Sequence, residues 1–450
     1  MSISPPPTPS RGLNRDELRF ESITSPCEWI EQYHPGGYHP VHLGDAFSHG
    51  RYKVLRKLGE GAYSTVWLAR DVREDRYVAL KIIIADFPQS TDELRILHHI
   101  SQVAPAEAPR YVTQLLDSFD HPGPNGLHKC LVFEPMGPTV NIMVEELPQF
   151  KPRTIYMDLR YPLEMARPIL KQSLEALAFL HDNGIAHGDF QPGNILFSLD
   201  NIDSKTEDSL RQEESEEDHS ISPPVRRLDG KEDRWAPRYL CLGQPLTAFT
   251  SYANELKVKL SDMGGAYFFA DPPAKPITPA GLRAPELILT RSMNNTLDVW
   301  SFGCILFEIV TGRPLFCVPW YKSQVMMNDD HLLQLNACLG PFPDDLYEHW
   351  ENSSFYFTPE RKLYNCALGD AKERVEPLML PQQSMEELFD EAKPDIDEEE
   401  ASEIKLLIRR ILQYDPANRP SAAEILEDPW FRRANLEPAH RGENPEDEAL

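Results

Sequence analysis

The hydrophobic pattern changes near Gly137 from the period of strands to the period of helices, and this change limits the folds that the chain can adopt. Before this point, short runs rich in Val, Ile, Tyr and Trp alternate with Gly-containing or charged turns, as in an antiparallel meander. These runs are Tyr52–Leu58, Ser64–Arg70, Tyr77–Ile84 and Lys129–Glu134. Residues 92–100 have the spacing of one helix, and a longer helical stripe covers Leu163–His181. The pattern predicts an α+β fold, with an antiparallel sheet and one main helix followed by a mainly helical part.

The charge and cysteine content of the 450 residues exclude several classes of protein. A formal net charge of −26 argues against a nucleic-acid binder, which needs a basic surface, and favours basic partners. Seven cysteines without a CxxC pair indicate neither a disulfide framework nor a zinc site, so we expect a reducing compartment, the cytoplasm, the nucleus or both. The start of the chain does not resemble a signal peptide, and the most apolar stretch, Ser301–Val310, is too short to span a bilayer. We expect a monomer that contacts neither nucleic acid nor membrane.

Three segments differ in composition from the rest of the chain. Residues 1–34 begin with a Ser-, Pro- and charge-rich stretch, residues 199–256 contain a long acidic and Ser-rich run, and residues 433–450 form an acidic tail. Segments with few large apolar residues bury too little surface to offset the conformational entropy that folding costs. We therefore expect residues 1–34 to be disordered and residues 199–256 to form a flexible insert.

The stretch from His187 to Phe197, HGDFQPGNILF, places Asp189 and Asn194 in a turn that leads into an apolar run. Such a pair suits phosphoryl transfer, in which a carboxylate orients the attacking hydroxyl and an amide oxygen holds a divalent metal. Protein kinases have Arg at the position of Gly188, whereas His-Gly-Asp is typical of small-molecule phosphotransferases of the aminoglycoside and choline kinase type. These residues alone leave three classes open: a protein kinase, a small-molecule kinase and a non-catalytic relative.

A glycine-rich stretch, LGEGAYSTV, lies between two of the predicted strands at Leu58–Val66. Gly59 and Gly61 would let the backbone close over nucleotide phosphates, and Val66 would lie against an adenine ring. Because Ser64 replaces the third glycine of the usual pattern, a plain hairpin turn is the alternative.

Lys81 follows this loop in an otherwise apolar strand. An interior lysine is costly unless it is paired with a carboxylate or bound to an anion, so Lys81 is expected to contact both a carboxylate and a phosphate. Glu93, on the next helix, is the natural partner, and Asp92 and Glu74 are poorer candidates. The alternative is a lysine at a strand end whose ammonium group reaches water.

A further strand, Val258–Leu260, is followed by the tripeptide Asp262-Met263-Gly264, at the place where kinases carry Asp-Phe-Gly. Carboxylate and amide oxygens suit Mg²⁺, so Asp262 and Asn194 together are predicted to hold the magnesium ions that neutralise a triphosphate.

The segment after this tripeptide separates the first two classes. Gly281–Leu287 contains Ala-Pro-Glu, and it is followed by an almost wholly apolar helix that begins near Asp298. Protein kinases build the support for a polypeptide substrate in this way. Glu286 then needs a buried cation, for which Arg419 is the evident candidate. Small-molecule phosphotransferases of the His-Gly-Asp type lack this segment, which disfavours that class.

Several shorter runs occur together with these motifs. They are GGYHPV at residues 36–41, STVWL at 64–68, VFE at 132–134 and DHL at 330–332. With the large insert before Asp262, they resemble the SR-protein kinases, Ser/Thr kinases that phosphorylate arginine/serine-rich proteins. The resemblance covers roughly residues 35–200 and 255–432.

The resemblance implies a bilobal protein kinase fold that uses ATP and Mg²⁺ and acts on basic, arginine/serine-rich proteins, with a link to mRNA processing. Residues 35–51 would be an extension packed on the N-lobe, and residues 52–432 the kinase domain, with an N-lobe at 52–136 and a C-lobe at 137–432. Asp189 would be the catalytic base, Lys81 with Glu93 the phosphate clamp, and Phe133 the gatekeeper. The implied ATP-binding residues are Leu58, Gly59, Gly61, Val66, Ala79, Lys81, Phe133, Glu134, Met136 and Leu196.

Two positions depart from the family pattern. Gly188 removes the arginine that in many kinases binds an activation-loop phosphate, so we predict activity that does not depend on phosphorylation there, with Thr278 as the best candidate acceptor. Gln191 replaces the lysine that Ser/Thr kinases place two residues after the base. A missing cation in a dry site costs roughly a few kcal/mol of transition-state stabilisation, so we expect a slow but active kinase. The alternative is an ATP-binding pseudokinase or scaffold.

Overall fold

The computed structural model describes residues 18–87, 90–104, 111–152, 158–250, 256–364 and 382–433. The N-terminal lobe is built on one antiparallel sheet of six strands with the order β1-β2-β3-β4-β6-β5. The strands are β1 Ala46–Phe47, β2 Tyr52–Gly61, β3 Ser64–Asp71, β4 Arg76–Ile83, β5 Leu115–Gly123 and β6 Gly126–Phe133. Helix α1, Ser90–Val103, packs its apolar face, including Ile96 and Leu97, into the main core.

The predicted strands and helix of this lobe are present, and one strand is added to them. β2, β3, β4 and β6 occupy the four β-rich runs, and α1 contains the predicted helix. β5 is absent from the prediction because its sequence, LLDSFDHPG, is polar and contains Pro122. β5 is an edge strand, where proline and charge are tolerated and help to prevent pairing with other chains.

In the residues that the structure describes, the C-terminal lobe is mainly helical, with four short strands between its helices. The first elements are α2 Val140–Glu146, α3 Leu163–Asp182, β7 Ile185–Ala186, β8 Ile195–Phe197, α4 Glu207–Leu210, β9 Val258–Leu260 and β10 Tyr267–Phe268. The remaining elements are α5 Pro285–Leu289, α6 Thr296–Thr311, α7 Gln324–Leu339, α8 Asp344–Tyr347, α9 Ser353–Tyr356, α10 Met385–Ala392, α11 Glu398–Ile411, α12 Ala422–Leu426 and α13 Pro429–Arg432. β7 pairs with β10 and β8 with β9, both antiparallel.

Helix α6 forms the centre of the C-terminal lobe. It is buried at nearly every position, as its apolar sequence predicts, and it packs against α3 and α11. Gly312 ends the helix with φ 77°, a left-handed conformation that glycine adopts without strain. The α+β fold predicted from the sequence, with an antiparallel sheet in one lobe and a mainly helical second lobe, is therefore confirmed.

The prediction of a flexible insert at residues 199–256 is wrong for the part of it that the structure describes, residues 199–250 and 256. Ile202, Leu210 and Leu246 pack against Leu55 and Leu68 on the N-lobe sheet. Cys241 joins a second apolar cluster of the same sheet. The composition of the insert conceals these few apolar residues, which find their partners far away in sequence.

The prediction of disorder for residues 1–34 is also wrong from residue 18 onwards. Arg19 and Glu31 form a buried ion pair with 2.9 Å between Nε and Oε2. Phe20, Ile30 and Tyr33 pack with Leu240 of the insert, so the two segments fold against each other. Residues 1–17 and residues 434–450 of the predicted acidic tail lie outside the described residues.

Of the helices in the described residues, none is long and apolar enough to cross a membrane.

Candidate active site

A cavity of about 650 Å³ lies between the two lobes and contains every residue that the sequence assigned to ATP, metal or catalysis. These lining residues are Leu58, Gly59, Gly61, Val66, Ala79, Lys81, Glu93, Phe133, Glu134, Met136, Asp189, Asn194, Leu196 and Asp262. β2–β4 and α1 supply the N-lobe side, and the segments around β8 and β9 supply the C-lobe side. Glu286, Asp298 and Arg419, assigned to structural roles, do not line the cavity.

One side of the cavity is apolar and shaped by strand residues. Val66 and Ala79 project from β3 and β4, and Leu196 projects from β8 on the opposite lobe. Between them, a flat aromatic base would bury apolar area on both faces. Glu134 lies at the edge, but its carboxylate is occupied, because the Lys259 ammonium donates to both oxygens at 2.6 and 2.7 Å.

Lys81 lies at the polar side of the cavity between two carboxylates. Its Nζ is 2.7 Å from Glu93 Oε1 and 2.8 Å from Asp262 Oδ1. Burial lowers the pKa of Lys81, but the charges of Asp262 and Glu93 outweigh burial and raise it, so the ammonium stays protonated. Glu93 is therefore the contact of Lys81 on α1, and the ion pair fixes the distance between α1 and the sheet.

Asp262 has a strained backbone that is held by its neighbours. Its φ is 61°, in the left-handed region that a non-glycine residue seldom adopts, and its carboxylate accepts a hydrogen bond from the Gly264 amide at 3.2 Å. The positive charge of Lys81 is the main cause of the lowered pKa of Asp262. Met263 is buried, and its turn contacts α1, so the position of α1 and that of the Asp262 carboxylate are coupled.

The loop between β7 and β8 holds Asp189 by two side-chain amides. Asn194 Nδ2 donates to the Asp189 carboxylate at 3.0 Å and to its carbonyl at 2.8 Å. Gln191 Nε2 donates to the other carboxylate oxygen at 2.9 Å. Burial raises the pKa of Asp189. Because Asn194 uses its amide nitrogen in these bonds, its amide oxygen is the atom available to a metal.

Asp298 at the start of α6 anchors this loop. Its carboxylate accepts hydrogen bonds from the backbone amides of His187 and Gly188 at 2.7 and 2.8 Å, and His181 Nε2 lies 2.9 Å away. These partners lower the pKa of Asp298 despite burial, which acts in the opposite direction. The loop that carries Asp189 is therefore fixed to the most buried helix of the lobe.

The residues between Asp262 and Glu286 form the activation segment, and its packing requires a glycine at position 188. Gly188 has a φ of 73°, and a Cβ at this position would lie 2.4 Å from the Gly265 carbonyl oxygen. The space that an arginine would need is therefore filled by backbone. Thr278, predicted as the phosphate acceptor of this segment, is buried and donates its hydroxyl to the Gly188 carbonyl at 2.7 Å. In this conformation the Thr278 hydroxyl has a structural role, and its role as a phosphate acceptor stays a prediction.

The Ala-Pro-Glu segment is fixed by a buried ion pair. Arg419 donates to both oxygens of Glu286 at 2.6 and 2.8 Å. Such a two-bond pair is strong and directional, and removing one partner would leave a buried charge without compensation.

Two segments that the sequence-based prediction left out of the site, the insert and the N-terminal extension, each contribute a residue in or next to the cavity. Pro245, from the insert, lines the cavity. Tyr38, from the N-terminal extension, donates its hydroxyl to the carbonyl of Gly61 in the glycine-rich loop at 2.6 Å. Both depend on contacts between residues that are distant in sequence, and no local pattern identifies them.

The chain matches the family described as protein kinase domain over residues 52–209 and 249–431, which omits most of the insert. A solved crystal structure of a kinase domain shares the fold, with a TM-score of 0.58 and 22% identity over 88% of this chain and 98% of that chain. The chain therefore belongs to the protein kinase family.

Relatives with more similar sequences identify a narrower group. The serine/threonine-protein kinase SRPK of Physarum polycephalum is 32% identical over 90% of this chain and 91% of its own length. The protein kinase dsk1 of Schizosaccharomyces pombe is 28% identical over 92% of this chain and 86% of its own length. The chain is thus a protein serine/threonine kinase and a divergent member of the SR-protein kinase family. These matches give no support to the pseudokinase alternative.

Proposed function

We propose that this kinase transfers the γ-phosphoryl group of ATP to Ser, or Thr, in basic, arginine/serine-rich proteins. One observation carries the proposal: the Lys81–Glu93–Asp262 cluster and the Asp189–Asn194 pair lie in the same cavity, with their ion pairs and hydrogen bonds formed. A protein that had lost catalysis would have no need to keep this set together.

Each residue has a role that its geometry supports. Lys81, oriented by Glu93, offers its ammonium to the nucleotide phosphates. Asn194 and Asp262 present the oxygen ligands that Mg²⁺ prefers, and the metal would supply positive charge next to the phosphates. Asp189 holds its carboxylate where a substrate hydroxyl can donate its proton, and its raised pKa favours acceptance of that proton.

The substrate class is supported by charge and by the names of the relatives. A net charge of −26 attracts basic partners and repels acidic ones. A relative named SRPK is among the most similar proteins, which suits an arginine/serine-rich substrate and a role in mRNA processing. A monomeric protein in the cytoplasm or the nucleus, without direct contact to nucleic acid, belongs to the same proposal.

The test is phosphate transfer from labelled ATP to a peptide of Arg-Ser repeats, in the presence of Mg²⁺. We expect transfer by the wild type and a loss of more than about 100-fold in Asp189→Asn, since general base catalysis contributes about 10²–10⁴-fold. A peptide in which Glu replaces every Arg is the matched control and should accept far less phosphate.

Transfer to the Glu control at the same rate would contradict the substrate class but not the kinase activity. No transfer to any basic protein, with ATP still bound, would contradict the proposed function itself.

A further inference from the structure

Lys57 is a fully buried lysine in β2, just before the glycine-rich loop. Its ammonium contacts the carboxylate of Glu28 in the N-terminal segment and the carbonyl of Cys241 in the insert, the latter at 2.9 Å. It also lies 3.1 Å from Glu60 Oε2. Lys57 therefore joins the N-terminal segment, the insert and the glycine-rich loop.

The pair of Lys57 and Glu28 is costly for the fold. Both side chains are almost completely excluded from solvent, with exposures of 0% and 2%. Replacing a buried ion pair by apolar residues of similar volume is often neutral or stabilising, so stability alone does not account for this pair. The Tyr33 hydroxyl donates to the other oxygen of Glu28 and so fixes the orientation of that carboxylate.

Glu60 lies between Gly59 and Gly61, the two glycines of the loop. Glycines give a backbone much freedom, so a side-chain contact at the residue between them restricts the whole loop. Glu60 lines the cavity, and its carboxylate is paired with the Lys57 ammonium. Lys57 therefore both neutralises this acidic residue and limits its motion.

The insert covers the same loop from outside. A Cβ at Gly243 would lie 3.6 Å from Gly59 Cα and 3.6 Å from Glu60 Oε2, so the insert backbone passes next to the loop with space for about one carbon atom between them. The backbone N–H of Gln244 donates to the backbone carbonyl of Lys57 at 2.8 Å. The next residue, Pro245, lines the cavity itself. The contacts of Lys57 thus continue to the site where the nucleotide would bind.

We propose that Lys57 is a positioning residue for ATP: by holding Glu60 and being held by Glu28, it fixes the glycine-rich loop over the nucleotide and sets its affinity. The inference rests on the proposed function in so far as the cavity binds ATP. It assigns to residues of the N-terminal segment and the insert a part in nucleotide binding.

The test is a direct titration with ATP and Mg²⁺ of the full chain and its variants, together with kcat and KM for ATP. Glu60→Gln leaves the pair of Lys57 and Glu28 intact, so it should fold like the wild type. We expect its Kd and KM for ATP to rise about five- to tenfold, with kcat changed less than about twofold, because the loop is less ordered but the reacting groups are untouched. Glu74→Gln, on an exposed turn, is the matched control and should change neither constant.

A second variant separates positioning from folding. Glu28→Met and Lys57→Met, combined with Tyr33→Phe, replace the ion pair and the hydroxyl bonded to Glu28 by apolar side chains, which leaves neither a buried charge nor an unpaired buried hydroxyl. We expect a urea midpoint close to that of the wild type, and a Kd for ATP raised at least as much as in Glu60→Gln. In this background, adding Glu60→Gln should no longer raise the Kd, because Lys57 acts through Glu60.

An unchanged Kd in both variants, or a lower Kd in Glu60→Gln, would overturn the inference, since the second result would mean that Glu60 only repels the phosphates. The titration measures ATP binding without phosphate transfer. A wild type that binds ATP but phosphorylates nothing would therefore contradict the proposed function. The present inference would still be decided by whether the Kd for ATP is higher in Glu60→Gln than in the wild type.

Discussion

Gln191 shows how one residue can keep a site ordered while lowering its charge. Its amide donates to Asp189 at 2.9 Å and so orients the carboxylate proposed as the base. A neutral amide does not stabilise the negative charge that spreads over the transferred phosphoryl group as a lysine would. Gln191 therefore orients the Asp189 carboxylate but adds no positive charge to stabilise the transition state.

We predict that Gln191→Lys increases kcat by about tenfold, which corresponds to about 1.4 kcal/mol of added transition-state stabilisation. The KM for ATP should change little, because the new charge acts mainly on the transition state. Steady-state kinetics on the Arg-Ser peptide is the measurement. Gln191→Leu, which removes the hydrogen bond to Asp189 without adding charge, is the control and should be slower than the wild type. A lysine variant no faster than the wild type would show that the missing cation does not limit the rate.

Residues whose roles depend on nearby sequence could be predicted, and residues whose partners are distant could not. Lys81 is recognisable because an apolar strand follows a glycine-rich loop. Lys57 lies in a strand that also carries Lys53 and Arg56, so its sequence does not mark it as buried, and nothing local identifies Glu28 as its partner. The ion pair of Glu286 and Arg419 could be inferred because both residues lie in motifs.

At the scale of elements, backbone packing holds the activation segment against the loop between β7 and β8 that carries Asp189. Gly188 and Gly265 are in contact, and a Cβ on Gly265 would also lie 2.4 Å from Ile277 Cδ1. With Thr278 bonded to the Gly188 carbonyl, the segment is fixed without a phosphate. This arrangement agrees with the prediction that activity does not depend on phosphorylation of the segment, which stays a prediction.

We predict that Gly188→Ala reduces phosphotransfer more than about tenfold (about 1.4 kcal/mol), because the added Cβ displaces Gly265 and the segment with it. Gly184→Ala is a matched control: its φ is 72°, but a Cβ there meets nothing within 4 Å. Both variants should lose about 1–2 kcal/mol of stability from left-handed strain, measured by urea unfolding. Equal activity in the two variants would mean that the contact between the glycines has no functional effect.

The elements themselves could be predicted where hydrophobic period is strong, as in β2–β4, α3 and α6. The insert could not, because its order comes from a few apolar residues, such as Leu210 and Leu246, that pack on the distant N-lobe sheet. Composition reports the average of a segment, whereas packing depends on the few residues that have partners.

At the scale of the whole molecule, histidines join the N-terminal extension to the sheet. The ring of His39 lies 4.8 Å from the rings of both His121 and His128, which belong to β5 and β6. Burial first, and then the neighbouring histidines, lower the pKa of His39 to about 3. Burial likewise lowers the pKa of His128 and His121. The groups around His39 are these two rings, His42 and Asp45, of which only Asp45 favours its protonation.

We predict that the protein loses stability as the pH falls from about 6.5 towards 3. At His39 the unfolded chain binds a proton near pH 6.5, whereas the folded protein does so only near pH 3, so protonation of this group favours unfolding by up to about 1.4 kcal/mol per pH unit. The lowered pKa values of His121 and His128 act in the same direction. Urea unfolding at pH 7 and pH 5 is the measurement. Between pH 7 and pH 5, the free energy of unfolding of His39→Phe should fall by about 2 kcal/mol less than that of the wild type. This figure follows because pH 5 is about 1.5 units below the unfolded-state pKa of about 6.5. His219→Asn, at an exposed position, should behave like the wild type, and equal losses in all three proteins would contradict the prediction.

The buried ammonium of Lys57 also determines where the smallest independent piece of this enzyme can begin. The kinase family match starts at residue 52, but Glu28, the more deeply buried of the two carboxylate partners of Lys57, lies upstream of that boundary. A fragment cut at residue 52 would keep the charge of Lys57 and lose its buried carboxylate partner, which leaves only the partly exposed Glu60 beside the ammonium. The region that matches the kinase family therefore starts later than the region that can fold by itself, and a fragment for expression should begin before Glu28.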